Sequence, residues 1–267
     1  MREWGGLLMS YLLQGLKQVF SPKDITKDVA HPGTTNSIRN YMWVLLLVQL
    51  LSFFLVYTKG VLSLGFQPTL ISIVSLVAGI AGVINVVLVA QGKMTNYFWG
   101  LVNTVAYIWV SYQNHLTGEV LLNAFFFIMQ FVGAYAWAKG NDDTTEKEAF
   151  KSRNLTMAGY FGYTLFIVVA WYLMYLIIVG FPTFFGGVDP HPVIDSLCFS
   201  LQIVGQVLMT YQYSEQWYLW SGADVFEIVL WTFPNNFNPV MVALWSAFLV
   251  NSLIGMHTWN KQAKLNK

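Results

Sequence analysis

Two carboxylic acids stand where a long apolar segment would carry them into hydrocarbon. Asp224 and Glu227 lie within Trp217-Tyr-Leu-Trp220-Ser-Gly-Ala-Asp224-Val-Phe-Glu227. An ionisable group at membrane depth is costly on every insertion scale, so it is a functional candidate by default. On a helix, Trp217, Trp220 and Asp224 fall at i, i+3 and i+7 and share one face, which Glu227 continues a turn further. Two indoles beside a carboxylate suit a flat cationic aromatic ligand, because stacking, cation–π attraction and charge pairing act together. The stretch Asn96-Tyr-Phe-Trp99-Gly-Leu-Val-Asn103 offers a similar face with amides in place of the acid. Gln130, Gln202, Gln206 and Asn251 are further amides at span depth. They both donate and accept, as carboxamides and sugar hydroxyls require.

The same residue types also have plainer uses. Trp217, near a span start, serves equally as an interfacial anchor or a ligand contact, while Trp4, Trp43 and Trp259 read as anchors. Gln49, Asn85 and Asn123 read as hydrogen-bonding groups between helices. Glu227 also suits pairing with a neighbouring helix, and Phe125-Phe126-Phe127 and Phe184-Phe185 read as packing or lipid-facing. His31, His115, His191 and His257 form no metal-spaced pair, and the single cysteine, Cys198, excludes a disulfide framework or a cysteine zinc cluster. Gly186-Gly187 lacks the strand–helix context of a phosphate-binding loop. No catalytic residue, metal or cofactor is expected, so the chain does not read as an enzyme.

The elements that must position these residues are membrane spans. Of 267 residues, 56% are apolar and 10% charged, where a soluble domain carries about 25% charged residues. A net charge of +1 leaves no basic excess for a nucleic acid. Apolar runs that suit an all-α integral membrane protein fall at about 41–58, 69–90, 96–113, 120–138, 158–180, 193–213, 217–233 and 238–258. Breaks at Lys59-Gly60, Gln91-Gly92-Lys93, Asp189-Pro190-His191-Pro192 and Pro234-Asn235-Asn236 separate them. Residues 4–20 suit a helix lying in the interface, and 21–40 a polar loop. Eight transmembrane helices put both termini on one side. That side holds 13 of the 14 basic residues, leaving Lys59 alone opposite, so it is assigned to the cytoplasm.

An ungapped internal match at an interval of 121 lays residues 75–138 on 196–259. It sets Asn103 on Asp224, Trp99 on Trp220, Asn85 on Gln206 and Gln130 on Asn251. Halves of this kind are parallel repeats, which usually enclose one site near the midplane.

Asn96-Tyr-Phe-Trp-Gly-Leu-Val-Asn103, Phe125-Phe-Phe…Tyr135-Ala-Trp137, Asp195-Ser196, Leu208-Met209-Thr210 and Trp217-x-x-Trp220 followed by a polar residue at 224 resemble the PnuC family over residues 69–260. The resemblance implies a transporter for nicotinamide riboside with a 3+1+3 core of two three-helix bundles. The first bundle would span 69–138, and 139–192 would hold a cytoplasmic loop, the linker helix and an outer loop. The second bundle would span 193–258, before a tail at 259–267. Residues 1–40 would be a cytoplasmic or interfacial segment, and 41–68 an added span and loop. Also implied are facilitated diffusion by alternating access, trapping by a cytoplasmic kinase, a homotrimer and the inner membrane of a bacterium. Asp224 departs from the amide that some members of the family would carry. It suits a pyridinium, and equally the thiazolium of thiamin, whose transporters and those of riboflavin are relatives. On this reading Trp220, Trp217 and Trp99 offer rings, Asp224 the charge, and Asn103, Gln130, Gln206 and Asn251 the polar contacts. A proton relay through Asp224 and Glu227 is the coupled-transport alternative.

Overall fold

The computed structural model describes residues 2–33, 35–64, 70–113, 117–142, 151–185, 187–230, 232–233 and 239–265. His115, Lys147, Gly186, Pro234-Asn235-Asn236 and Lys267 lie outside them, as do the side chains of Trp4 and Lys59. Among the described residues the regular elements are helical, with one isolated bridge between Arg153 and Tyr213. The α-helices are α1 (Arg2–Val19), α2 (Pro22–Ala30), α3 (Asn36–Leu64), α4 (Leu70–Ala90), α5 (Asn96–Gln113), α6 (Thr117–Asp142), α7 (Met157–Gly180), α8 (Pro192–Thr210), α9 (Gln216–Leu230) and α10 (Pro239–Leu265). Among the described residues α4, α6, α7 and α8 are long and apolar enough to cross a membrane by length and composition.

The N-terminal region is more ordered than its polar composition suggests. Residues 21–40, expected as a loop, contain α2 and the start of α3. Ser21 caps α2 by accepting from the Asp24 amide at 3.3 Å, and Pro22 fills the first helical position. Asp28 is buried, accepts from Thr95 Oγ1 at 2.7 Å and lies 3.7 Å from Lys93 Nζ, which ties α2 to the α4–α5 turn. The first helix, α1, packs along α6, where Gly15 meets the Ala134 carbonyl.

Consecutive helices pack as two sets, α4 on α5 on α6 and α8 on α9 on α10. The sets meet through α6 against α8 and α10 against α4, with α3 on α4 and α7 on α8. Apart from Ile178, α7 buries no residue, as an all-round apolar helix does when its solvent is lipid.

One turn appears twice. Between α4 and α5 the carbonyls of Val87, Leu88 and Val89 accept from the amides of Gln91, Lys93 and Gly92. Between α8 and α9 those of Val207, Leu208 and Met209 accept from Tyr211, Tyr213 and Gln212. Gly92 and Gln212 both adopt positive φ, at 65° and 60°. The helices that follow begin at Asn96 and Gln216, so the structural interval here is 120. Across α6 and α10 it is 122, since Gly133 meets the Tyr97 ring as Gly255 meets that of Trp217. The ungapped interval of 121 averages the two and is one residue out in every helix. The cause is that the chain from the start of α9 to the start of α10 is two residues longer than that from the start of α5 to the start of α6.

Trp259 is not an interfacial anchor. It is fully buried with Trp137, Trp217 and Tyr97 at the α1 end of the two sets. A β-carbon at Gly255 would overlap three atoms of the Trp217 ring. Gly255→Ala should therefore cost about 1–3 kcal/mol and lower Tm by roughly 5 °C. A thermal melt of the detergent-solubilised protein checks this, and an unchanged Tm would refute the packing argument.

Candidate functional site

Where the two sets meet, six helices enclose a cavity of about 190 Å³. Asn103 reaches it from α5, Gln130 from α6, Gln206 from α8, Trp217, Trp220 and Asp224 from α9, and Asn251 from α10. The structure thus brings together seven of the eight residues singled out from sequence. Trp99 is the exception. It packs against the core formed by α3 and α4, beside Phe98 at a ring distance of 5.3 Å. With the interval at 120, the residue that corresponds to Trp220 is Gly100, and Gly100 does line the cavity.

The two halves of the cavity are complementary in size. A β-carbon at Gly100 would collide with the Gln130 amide and come within 3.0 Å of Asn85 Nδ2. In the other half the bulk is exchanged: Trp220 occupies the wall, and its indole rests on Gly205, where a β-carbon would lie 3.2 Å from Cε2. Phe126 faces the same indole at 6.3 Å. That places Phe126 in the cavity wall and corrects its reading as packing or lipid-facing. Asn85, read as a link between helices, has both roles: Nδ2 donates to the Asn96 carbonyl at 2.7 Å, and the residue lines the cavity.

Asp224 is 4% exposed and accepts from Ser252 Oγ at 2.8 Å. Trp220 Nε1 donates to Gln216 Oε1 at 3.3 Å. Some amides spend one group on the scaffold. Asn103 Nδ2 donates to the Ala78 carbonyl at 2.8 Å, Gln130 Nε2 to Phe126 at 3.0 Å and Asn251 Nδ2 to Val86 at 3.2 Å. These bonds orient the side chains without exhausting them. Gln130 Oε1, Asn251 Oδ1, Gln206 Nε2, Trp217 Nε1 and Trp245 Nε1 are buried with no hydrogen-bond partner in the protein. A buried polar atom left unsatisfied costs about 1–3 kcal/mol. Five of them around one cavity make a site with acceptors and donors unspent. No Lys or Arg is among the described residues lining it.

Sequence reading missed Trp245, Phe248 and Ser252, which line the cavity from α10. They fall at i, i+3 and i+7, the spacing of Trp217, Trp220 and Asp224 on α9. That shared spacing was the signal available.

Glu227 does not join Asp224. It lines a second cavity, also of about 190 Å³, with Glu119, Asp189 and Asp195. Gln202 borders both cavities.

Residues 72–261 match the family model described as nicotinamide mononucleotide transporter. The nicotinamide riboside transporter PnuC of Haemophilus influenzae is 31% identical over 180 residues, covering 67% of this chain and 75% of that protein. The transporter of the same name from Neisseria mucosa is 32% identical over 186 residues, covering 67% and 68%. A crystal structure of the vitamin B3 transporter PnuC superposes with a TM-score of 0.67 at 29% identity, covering 90% of this chain and 97% of that one.

Proposed function

The chain belongs to the PnuC family of membrane transporters, and from that premise we propose that it carries nicotinamide riboside into a bacterial cell by facilitated diffusion. The observation that carries this reading is the cavity lined by three indoles, one carboxylate and the residues that carry five unspent hydrogen-bonding atoms. Nicotinamide riboside has a cationic ring, a carboxamide and ribose hydroxyls. Trp220 and Trp217 would stack on the ring and Asp224 would offset its charge. Asn103, Gln130, Gln206 and Asn251 would take the carboxamide and ribose. A phosphate would bring negative charge to Asp224 with no cation to meet it, which favours the riboside over the mononucleotide of the family's description.

On this reading α4–α6 and α8–α10 are the two bundles of a 3+1+3 core, with α7 as linker and α3 as an added span. Eight helices then cross the inner membrane with both termini cytoplasmic, in keeping with the 13 basic residues gathered on that side. The bundles rock about the site in alternating access, the protein assembles as a homotrimer, and phosphorylation inside the cell traps the product.

Purified protein in liposomes tests the proposal. Labelled nicotinamide riboside should equilibrate unmodified with no ion gradient present. Uptake that collapses when a pH gradient is dissipated would replace the passive carrier with a proton-coupled one, and a chemically altered product would end the transport reading. Gln206→Leu removes an unspent amide without breaking a protein hydrogen bond found here. It should weaken binding about tenfold, or 1.4 kcal/mol, with Tm unchanged. The mononucleotide should bind about 100-fold more weakly than the riboside to the parent protein, by calorimetry.

A further inference from the structure

Beneath the cavity, at the α1 end, two indoles make matching bonds across the two helix sets. Trp137 on α6 donates Nε1–H to the Met209 carbonyl on α8 at 3.1 Å. Trp259 on α10 donates Nε1–H to the Val89 carbonyl on α4, also at 3.1 Å. Each accepting carbonyl lies in the last turn of its helix, where the ladder has run out of donors. Each also takes one turn amide, from Gln212 and Gly92 respectively, at 2.9 Å. Both tryptophans are fully buried, and their rings lie 5.9 Å apart. Val89 and Met209 are themselves cavity residues, so the bonded residues belong to its floor.

The bonds run crosswise. The last helix of each set holds the first helix of the other, so the sets cannot part at this end while either bond remains. We propose that Trp137 and Trp259 form a paired latch that closes the cytoplasmic exit, and that release of cargo into the cell requires both indole–carbonyl bonds to break. This rests on the reading of the chain as an alternating-access carrier whose α1 end faces the cytoplasm. It assigns the two tryptophans a positioning role without contact to the cargo. A bond shielded from water has no solvent partner to replace it until the floor has opened. Opening is therefore close to all-or-none, and losing one donor should shift the balance toward the open state.

A cysteine at Val89, in a Cys198→Ala background, reports access to the floor. Inside-out vesicles are treated with a membrane-impermeant maleimide, and right-side-out vesicles serve as the comparison. Trp137→Phe and Trp259→Phe keep an aromatic ring and remove the donor. Each should speed labelling from the cytoplasmic side about tenfold, and the double variant further, with labelling from outside unchanged. Unchanged cytoplasmic labelling in both single variants would overturn the latch. Equal acceleration from both sides would also overturn it, because that outcome means general loosening. Failure of the carrier reading shows separately, as parent protein that does not equilibrate nicotinamide riboside across liposomes.

Discussion

Asp224→Asn is expected to weaken binding of nicotinamide riboside by about 100-fold and to abolish the preference for its cationic ring. The carboxylate is almost fully buried, and one oxygen is held by Ser252 at 2.8 Å. A cationic ring that enters the cavity leaves its hydration behind, and Asp224 is the one acidic residue among those lining it. Removing one member of a buried charge pair costs about 2–5 kcal/mol, mostly because the other charge is then unpaired. The dihydro form of the same riboside has a neutral ring and otherwise similar shape. Parent protein should favour the cationic form strongly, and the variant should bind the two within about tenfold of each other. Calorimetry with both compounds decides it: an unchanged ratio would remove Asp224 from the site. Ser252→Ala, which leaves the charge in place, should cost about 1 kcal/mol or less.

The second large effect is expected at Trp220. Its indole stands against Phe126 at 6.3 Å and over Gly205, and Gln216 fixes its N–H. Trp220→Ala removes the stacking surface, the ring quadrupole and much of the wall together, and should weaken binding about 30-fold, or 2 kcal/mol. Trp220→Phe should recover part of that loss, whereas Trp220→Leu, of comparable bulk but without a π face, should not. Equal affinity for the Phe and Leu variants would mean that Trp220 only fills space. The comparison is informative because Gly205 lets any of these side chains settle without a clash from beneath.

Much of this architecture is legible in the amino-acid sequence. Apolar run length located the helices of the two sets, and polar residues stranded inside those runs led to seven of the cavity residues. The failures have specific causes. Trp99 was drawn into the site by an alignment that could not open a gap, so an error of one residue, about 100° of helix rotation, turned it to the wrong face. Phe126 and Trp245 are aromatic residues in apolar runs, and by type and spacing alone a cavity wall and a lipid-facing ring look the same. Trp259 looked like an anchor because it stands near a span end, but α10 runs on to Leu265, and α1 packs on α6 close to the same aromatic cluster. The cap at Ser21-Pro22 was a readable signal for α2 that the polar composition around it concealed. Glu227 shares a helix face with Asp224 by spacing, yet the neighbouring helices divide that face between two cavities.

The exchange of bulk between Gly100 and Trp220 also bears on how such a molecule could have arisen. A symmetric ancestor made of two identical three-helix chains would carry the same residue at both positions. Tryptophan in both would set a second indole against Gln130 and Asn85 and fill the space, while glycine in both would remove the indole that faces Phe126 and rests on Gly205. Two copies joined in one polypeptide are free to differ, one toward a face that stacks and the other toward room for amides. Fusion, on this view, does more than fix stoichiometry: it lets a two-fold frame hold a molecule that has no two-fold axis of its own, in one orientation.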